Sequence, residues 1–182
     1  AFGVTAYQLA WLKYYYPLEF FLSLFNHQPM GFYTPETLKE DAKRHGVVIL
    51  NPDVNLSNAA CRSEGSAIRL GLLYVQHVGD ASASAVLSAR GNAPFQNLAD
   101  FISRSCLQQQ CIEDLIDAGA LDNLCRNRRQ ARWEVGLRYQ PLGYQMVGYQ
   151  MAMHLPVAAA MAVLPQADAF DEMLLEYQKM GM

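Results

Sequence analysis

The residues whose type and spacing point most directly to chemistry form one tight bend, Val75-Gln76-His77-Val78-Gly79-Asp80. Apolar stretches flank it, Leu72-Leu73-Tyr74 before and Ala81 to Leu87 after. A bend that opens a helix presents backbone N–H groups at that helix's positive end. Such donors bind a phosphate without reading a base, which gives affinity and register but no sequence specificity. Val75 and Val78 are placed to plug the core between two helices. Gly79 lets the backbone turn, and Ala81, Ala83 and Ala85 let the helices approach closely. His77 occupies a position that glycine would ease. It either hinders a phosphate or, when protonated, contacts one. The pattern suits a DNA-contacting hairpin and a purely structural helical hairpin alike.

Leu115-Ile116-Asp117-Ala118-Gly119-Ala120-Leu121 is a looser echo of that bend. Gly119 is a second candidate for phosphate contact, with an ordinary helix C-cap as the competing reading. Directly after it come Arg126, Arg128, Arg129, Arg132 and Arg138, with Glu134 the one acid among them. Such a local basic patch meets phosphates or lies as a solvated helix face. Catalytic and metal-ligating patterns are missing from the sequence. There is no Asp-x-Asp pair, and Asp53, Asp80 and Asp122 stand singly at turns, where they read as caps. The four cysteines, at 61, 106, 111 and 125, form no C-x-x-C pair and have no histidine at zinc spacing. They are expected to be buried free thiols in a reducing cytoplasm.

Mostly helical elements must position these groups. Helices are expected over Gly3 to Leu12, from Leu18 to Phe25, and from Thr34, with Pro35 at its first position, to a stop at Gly46. Val47 to Leu50 and Ile68 to Leu70 are short strand-like runs able to pair. Further helices are expected at Leu72–Gln76, Ala81–Arg90, Leu98–Arg104, Gln109–Ala118 and Arg126–Arg138, and Asp168 can cap a last one through Tyr177. Gly143-Tyr144-Gln145-Met146 nearly repeats at Gly148-Tyr149-Gln150-Met151, too few copies for a solenoid. The fold class is therefore mainly α with a small β element. The formal charge of −3 argues against indiscriminate nucleic-acid binding. It is unevenly spread: residues 1–138 are neutral, and the acids in excess lie beyond them. No apolar run is long enough to span a bilayer, and the first residues do not resemble a secretory leader.

Taken in order, the motifs resemble the bacterial C-family DNA polymerases, the alpha subunit of DNA polymerase III, and most closely the error-prone branch. AYQLAWLKYYYPLEFF at 6–21 resembles the family's fingers helix, and NHQPMGFYTP at 26–35 is the most diagnostic run. EDAKRHGVVILNPDVNLS, IRLGLLYVQHVG, PFQNLADFISR, DLIDAGALDNL and RRQARW follow in sequence. The resemblance covers Ala1 to about Trp133; 139–164 carries no motif that can be placed in the family, and His77 replaces its turn glycine. It implies three parts: the end of a fingers domain at 1–57, a helix-hairpin-helix module at 58–138, and a linker with a terminal helix at 139–182 that leads toward an oligonucleotide-binding domain. It implies templated DNA synthesis, with Mg²⁺ held by palm carboxylates outside this chain, so the fragment itself is expected to be inactive and to need no cofactor. Expected partners are the DNA duplex backbone and the rest of the polymerase chain, with a sliding clamp as a further candidate, in the bacterial cytoplasm and without a membrane. The expected DNA contacts are Val75, Gln76, His77, Val78, Gly79, Asp80, Gly119, Arg126, Arg128, Arg129 and Arg132. Tyr7, Gln8 and Lys13 are candidates for nucleotide or template contact. Gln166 and Phe170 resemble the ends of the short clamp-binding peptide, with Ala169 where a larger aliphatic residue is wanted. A free-standing DNA-binding module and a helical scaffold remain as alternatives.

Overall fold

Polar caps and helix-opening prolines set most of the helix starts. The computed structural model describes residues 2–29, 31, 33–91, 93–138 and 164–181. Helix α1 (Phe2–Tyr15) leads into α2 (Pro17–Asn26), whose first residue is proline, and α3 (Pro35–Arg44) follows. Thr34 caps α3 by accepting from the Thr37 amide at 3.3 Å, and Pro35 takes the position where no intrahelical donor is needed. Three short strands come next: β1 (Val48–Leu50), β2 (Arg62–Glu64) and β3 (Ala67–Arg69). β3 lies in the middle, parallel to β1 with Ile49 opposite Ile68, and antiparallel to β2 with Ser63 opposite Ile68. The two anticipated strand runs therefore do pair, and β2 is an element that the sequence did not announce.

A short 3₁₀ turn (Leu72–Tyr74) stands where a longer helix was expected, and it precedes α4 (Asp80–Arg90). Gly71 has to be glycine here, because a Cβ would collide with the backbone of Ala59 and Ala60. Helices α5 (Leu98–Ser105), α6 (Gln109–Asp117) and α7 (Arg128–Arg138) follow. Asn97 caps α5 through the Asp100 amide at 2.9 Å. After residue 164 the chain returns in α8 (Ala169–Met180), capped by Asp168 through the Asp171 amide at 2.8 Å. The near-repeat at 143–151 and the Ala-rich run before residue 164 lie outside the described residues.

One core joins α2 and α3 to the strands and to the helices that follow them. Phe21, Phe25, Ile68, Leu70, Leu72, Val86, Phe101, Ile112 and Leu115 are all essentially inaccessible. Phe95 and Phe101 meet edge-on at 5.0 Å between ring centroids, a favoured aromatic geometry. Helix α1 contrasts with this core, since none of its side chains is buried. No helix among the described residues is long and apolar enough to cross a membrane.

Candidate nucleic-acid interface

The bend between the 3₁₀ turn and α4 is held from behind. Val75 and Val78 are buried beneath it, as their spacing predicts, and Ala83 is buried where the helix crosses the core. Three of the expected outward donors are spent internally. The Val75 amide donates to Leu72 O at 3.1 Å, Val78 to Val75 O at 3.2 Å, and Gln76 to Lys179 O of α8 at 2.9 Å. A chain that turns this tightly closes its own backbone bonds first. The open donors lie one step further on. The amides of Gly79, Asp80, Ala81 and Ser82 have no acceptor among the described residues, and Gly79, Asp80 and Ala81 are exposed. Every α-helix leaves such a first turn of unpaired N–H groups. In the sequence, Ala81 and Ser82 could have been found by counting forward from Gly79 as the N-cap.

His77 adopts a left-handed backbone, φ 59°, the conformation that a glycine takes at least cost. Its Nδ1 lies 2.6 Å from Asp114 Oδ2 of α6. Asp114 is completely buried, and Lys179 Nζ of α8 also reaches it at 2.6 Å. With an acceptor at Nδ1, that nitrogen carries the proton or the ring is charged. Two elements, α6 and α8, thus brace one turn, and nothing in the local sequence signals a contact between residues 77 and 114.

Among the described side chains the arginines form no continuous open basic patch. Arg128 is buried. Its Nη2 lies 2.6 Å from Asp122 Oδ2 and 2.7 Å from Glu176 Oε1, and its Nη1 donates to Asp117 O at 3.2 Å. Burial alone would lower its pKa; the hydrogen bonds to Asp122 and Glu176 outweigh that and raise it. Arg132 pairs with Asp117 at 3.0 Å and with Glu113 at 3.3 Å. Burial pushes the Asp117 carboxyl up, against the pull of Arg132 and Lys179. Arg129 makes an exposed pair with Asp171 at 3.1 Å, and Arg126 is exposed with no partner among the described residues. The expected phosphate roles of Arg128 and Arg132 are corrected: acids brought in by α6, α8 and the turn at Asp122 neutralise them. Gly119 is corrected too. It is buried directly after Ala118, the C-cap of α6, with φ 76°, and a Cβ there would lie 2.5 Å from Arg128 Nη2, so it faces the ion pair and not solvent.

The remaining candidates divide. Tyr7 and Gln8 are exposed on α1. Lys13 is tied up, with Nζ 2.6 Å from Asp41 Oδ2 of α3 and over the Phe21 ring. Phe170 is exposed in the first turn of α8, and Gln166 reaches Glu172 at 3.4 Å. The single aspartates do not fit a two-metal centre. Asp53 Oδ1 accepts the amides of Asn55 and Leu56 at 2.7 and 2.9 Å, and Asp122 is committed to Arg128. Asp80 is the first residue of α4 and not a cap, since Gly79 is the N-cap. Among the described residues no cluster of three or more His, Cys, Asp or Glu could hold a metal.

Turn, buried valines and following helix together define a helix-hairpin-helix module, and residues 46–131 match the helix-hairpin-helix motif family. Over its whole length the chain is similar to a segment of bacterial error-prone DNA polymerases, so the family read from the motifs is borne out, and its extent is corrected: the similarity does not stop near Trp133 but runs through to the last helix. It is 34% identical over 190 residues to the enzyme of Aromatoleum aromaticum, covering 100% of this chain and 17% of the relative. It is 43% identical over 137 residues to that of Corynebacterium glutamicum, covering 75% and 13%. It is 36% identical over 172 residues to that of Mycolicibacterium paratuberculosis, covering 93% and 16%. The chain thus spans about one sixth or less of the relatives it matches.

Proposed function

We propose that this chain is the duplex-gripping segment of an error-prone DNA polymerase, holding the DNA backbone without regard to sequence while the rest of the polymerase chain performs the chemistry. The observation that carries the reading is the run of unpaired amides from Gly79 to Ser82 at the exposed start of α4. These donors sit at the positive end of a helix, and a phosphate is the natural acceptor. Exposed Arg126 and Arg129 add charge; the Arg129–Asp171 pair is exposed and exchanges partners at little cost. Mg²⁺ belongs to carboxylates elsewhere in the polymerase, and the chain alone does not transfer nucleotides. Tyr7 and Gln8 remain free to contact template or nucleotide. Exposed Phe170 favours one further partner, a sliding clamp.

The test is fluorescence anisotropy with a labelled duplex of arbitrary sequence. Weak binding is expected at about 50 mM salt, falling roughly tenfold or more by about 200 mM. Replacing Arg126 and Arg129 together by alanine should lower the logarithmic salt slope by about two. Absence of binding at low salt rejects the reading, and an unchanged slope rejects the two arginines.

A further inference from the structure

Helix α4 has a second end, and it carries charge of its own. A recess of about 280 Å³ beside its last turn is lined by Asn55, Leu56, Arg62, Arg90, Gly91 and Pro94. Among the described residues of this wall are two arginines and no acid. Arg90 is anchored through Nη1, which donates to Ser57 O at 2.8 Å and Val54 O at 3.4 Å. Its Nε and Nη2 have no acceptor among the described residues. Arg62 reaches Glu64 only loosely, at 3.4 Å. That carboxylate is already held by Arg69, with Nε at 2.5 Å and Nη2 at 2.9 Å, which keeps the Glu64 carboxyl well down, at about 2. The charge on Arg62 is therefore largely uncompensated. The carbonyls at the C-terminal end of α4 would repel an anion. Arg104 covers them, donating to the carbonyl oxygens of Ala89, Arg90 and Ala93.

We infer that the recess between Arg62 and Arg90 binds a phosphate group, supplied by a nucleic-acid strand or by free pyrophosphate. Guanidinium groups match the oxygens of a phosphate with paired donors. The recess falls just below the roughly 300 Å³ at which pockets for whole small molecules begin, so it suits an oxyanion better than a nucleoside. The eleven residues of α4 span about 16 Å, close to the rise of roughly five nucleotides along one strand. One strand could therefore touch both ends of the helix. The site stands independently of the contact proposed at Gly79 to Ser82.

Two titrations of the 182-residue chain test it: inorganic pyrophosphate by calorimetry and a labelled duplex by anisotropy. Arg62 has one loose contact, so Arg62→Gln should leave the melting temperature in place, and Arg62→Lys checks this while keeping the charge. If the strand is the source, Arg62→Gln weakens duplex binding about fivefold or more and lowers its salt slope by about one. If free phosphate is the source, the same change weakens pyrophosphate alone, and Arg62→Lys falls between wild type and Arg62→Gln for the affected ligand. Asp80→Pro, at the other end of α4, should leave pyrophosphate untouched, which separates failure of this site from failure of the hairpin. If neither titration changes with Arg62→Gln, the inference is overturned.

Discussion

His77 and Gly119 both occupy left-handed backbone, at φ 59° and 76°, and they meet its cost differently. Non-glycine residues disfavour that region by about 1–2 kcal/mol. At His77 the cost is offset by the hydrogen bond to buried Asp114, so a position suited to glycine accepts an imidazole. Gly119 has no such compensation. Gly119→Ala would add the conformational cost and push a methyl group against Arg128. Urea denaturation should show a loss of about 2 kcal/mol; a change near zero would mean that the turn and the guanidinium relax together. Sequence alone identified both turns. It did not separate a turn facing phosphate from one facing an arginine, because that depends on what lies behind each.

At the scale of elements, Arg128 is the tie between α7, the turn at Asp122 and α8. Removing one partner of a buried ion pair strands the others. Arg128→Ala should therefore cost about 3 kcal/mol, while Arg129→Ala, in an exposed pair, should cost under about 0.5 kcal/mol. Equal losses in thermal or urea unfolding would refute the division. The helices were legible because their signals are local: Thr34 before Pro35, Asp168 as a cap, and apolar residues at helical spacing. The basic patch was misread because its neutralising acids are distant, Asp117 lying 15 residues from Arg132 and Glu176 lying 48 from Arg128. Strand β2, Arg62-Ser63-Glu64, has no apolar alternation and pairs only because β3 follows it across a tight turn. The 3₁₀ turn is short because the Val75 amide returns to Leu72 O, closing the turn before a longer helix can form.

At the scale of the whole molecule, the described part is a hairpin module with apolar surfaces left uncovered, Tyr7 and Tyr14 on α1 and Phe170 on α8 among them. In the proposed setting these are surfaces for a larger polymerase and its partners. Phe170→Ala should weaken sliding-clamp affinity about tenfold if Phe170 anchors there, and surface plasmon resonance showing equal affinity would exclude it. The proposed DNA binding turns on the free amides at the start of α4. Asp80 separates amide from charge: Asp80→Ala removes only the carboxylate, whereas Asp80→Pro also removes one N–H, at the helix position that best tolerates proline and after an extended Gly79. Anisotropy with a labelled duplex should show Asp80→Ala binding at least as tightly as wild type, and Asp80→Pro binding about tenfold more weakly than Asp80→Ala, the worth of one hydrogen bond to a charged group. Equal affinities for the two variants, both folded, would contradict phosphate binding by these amides.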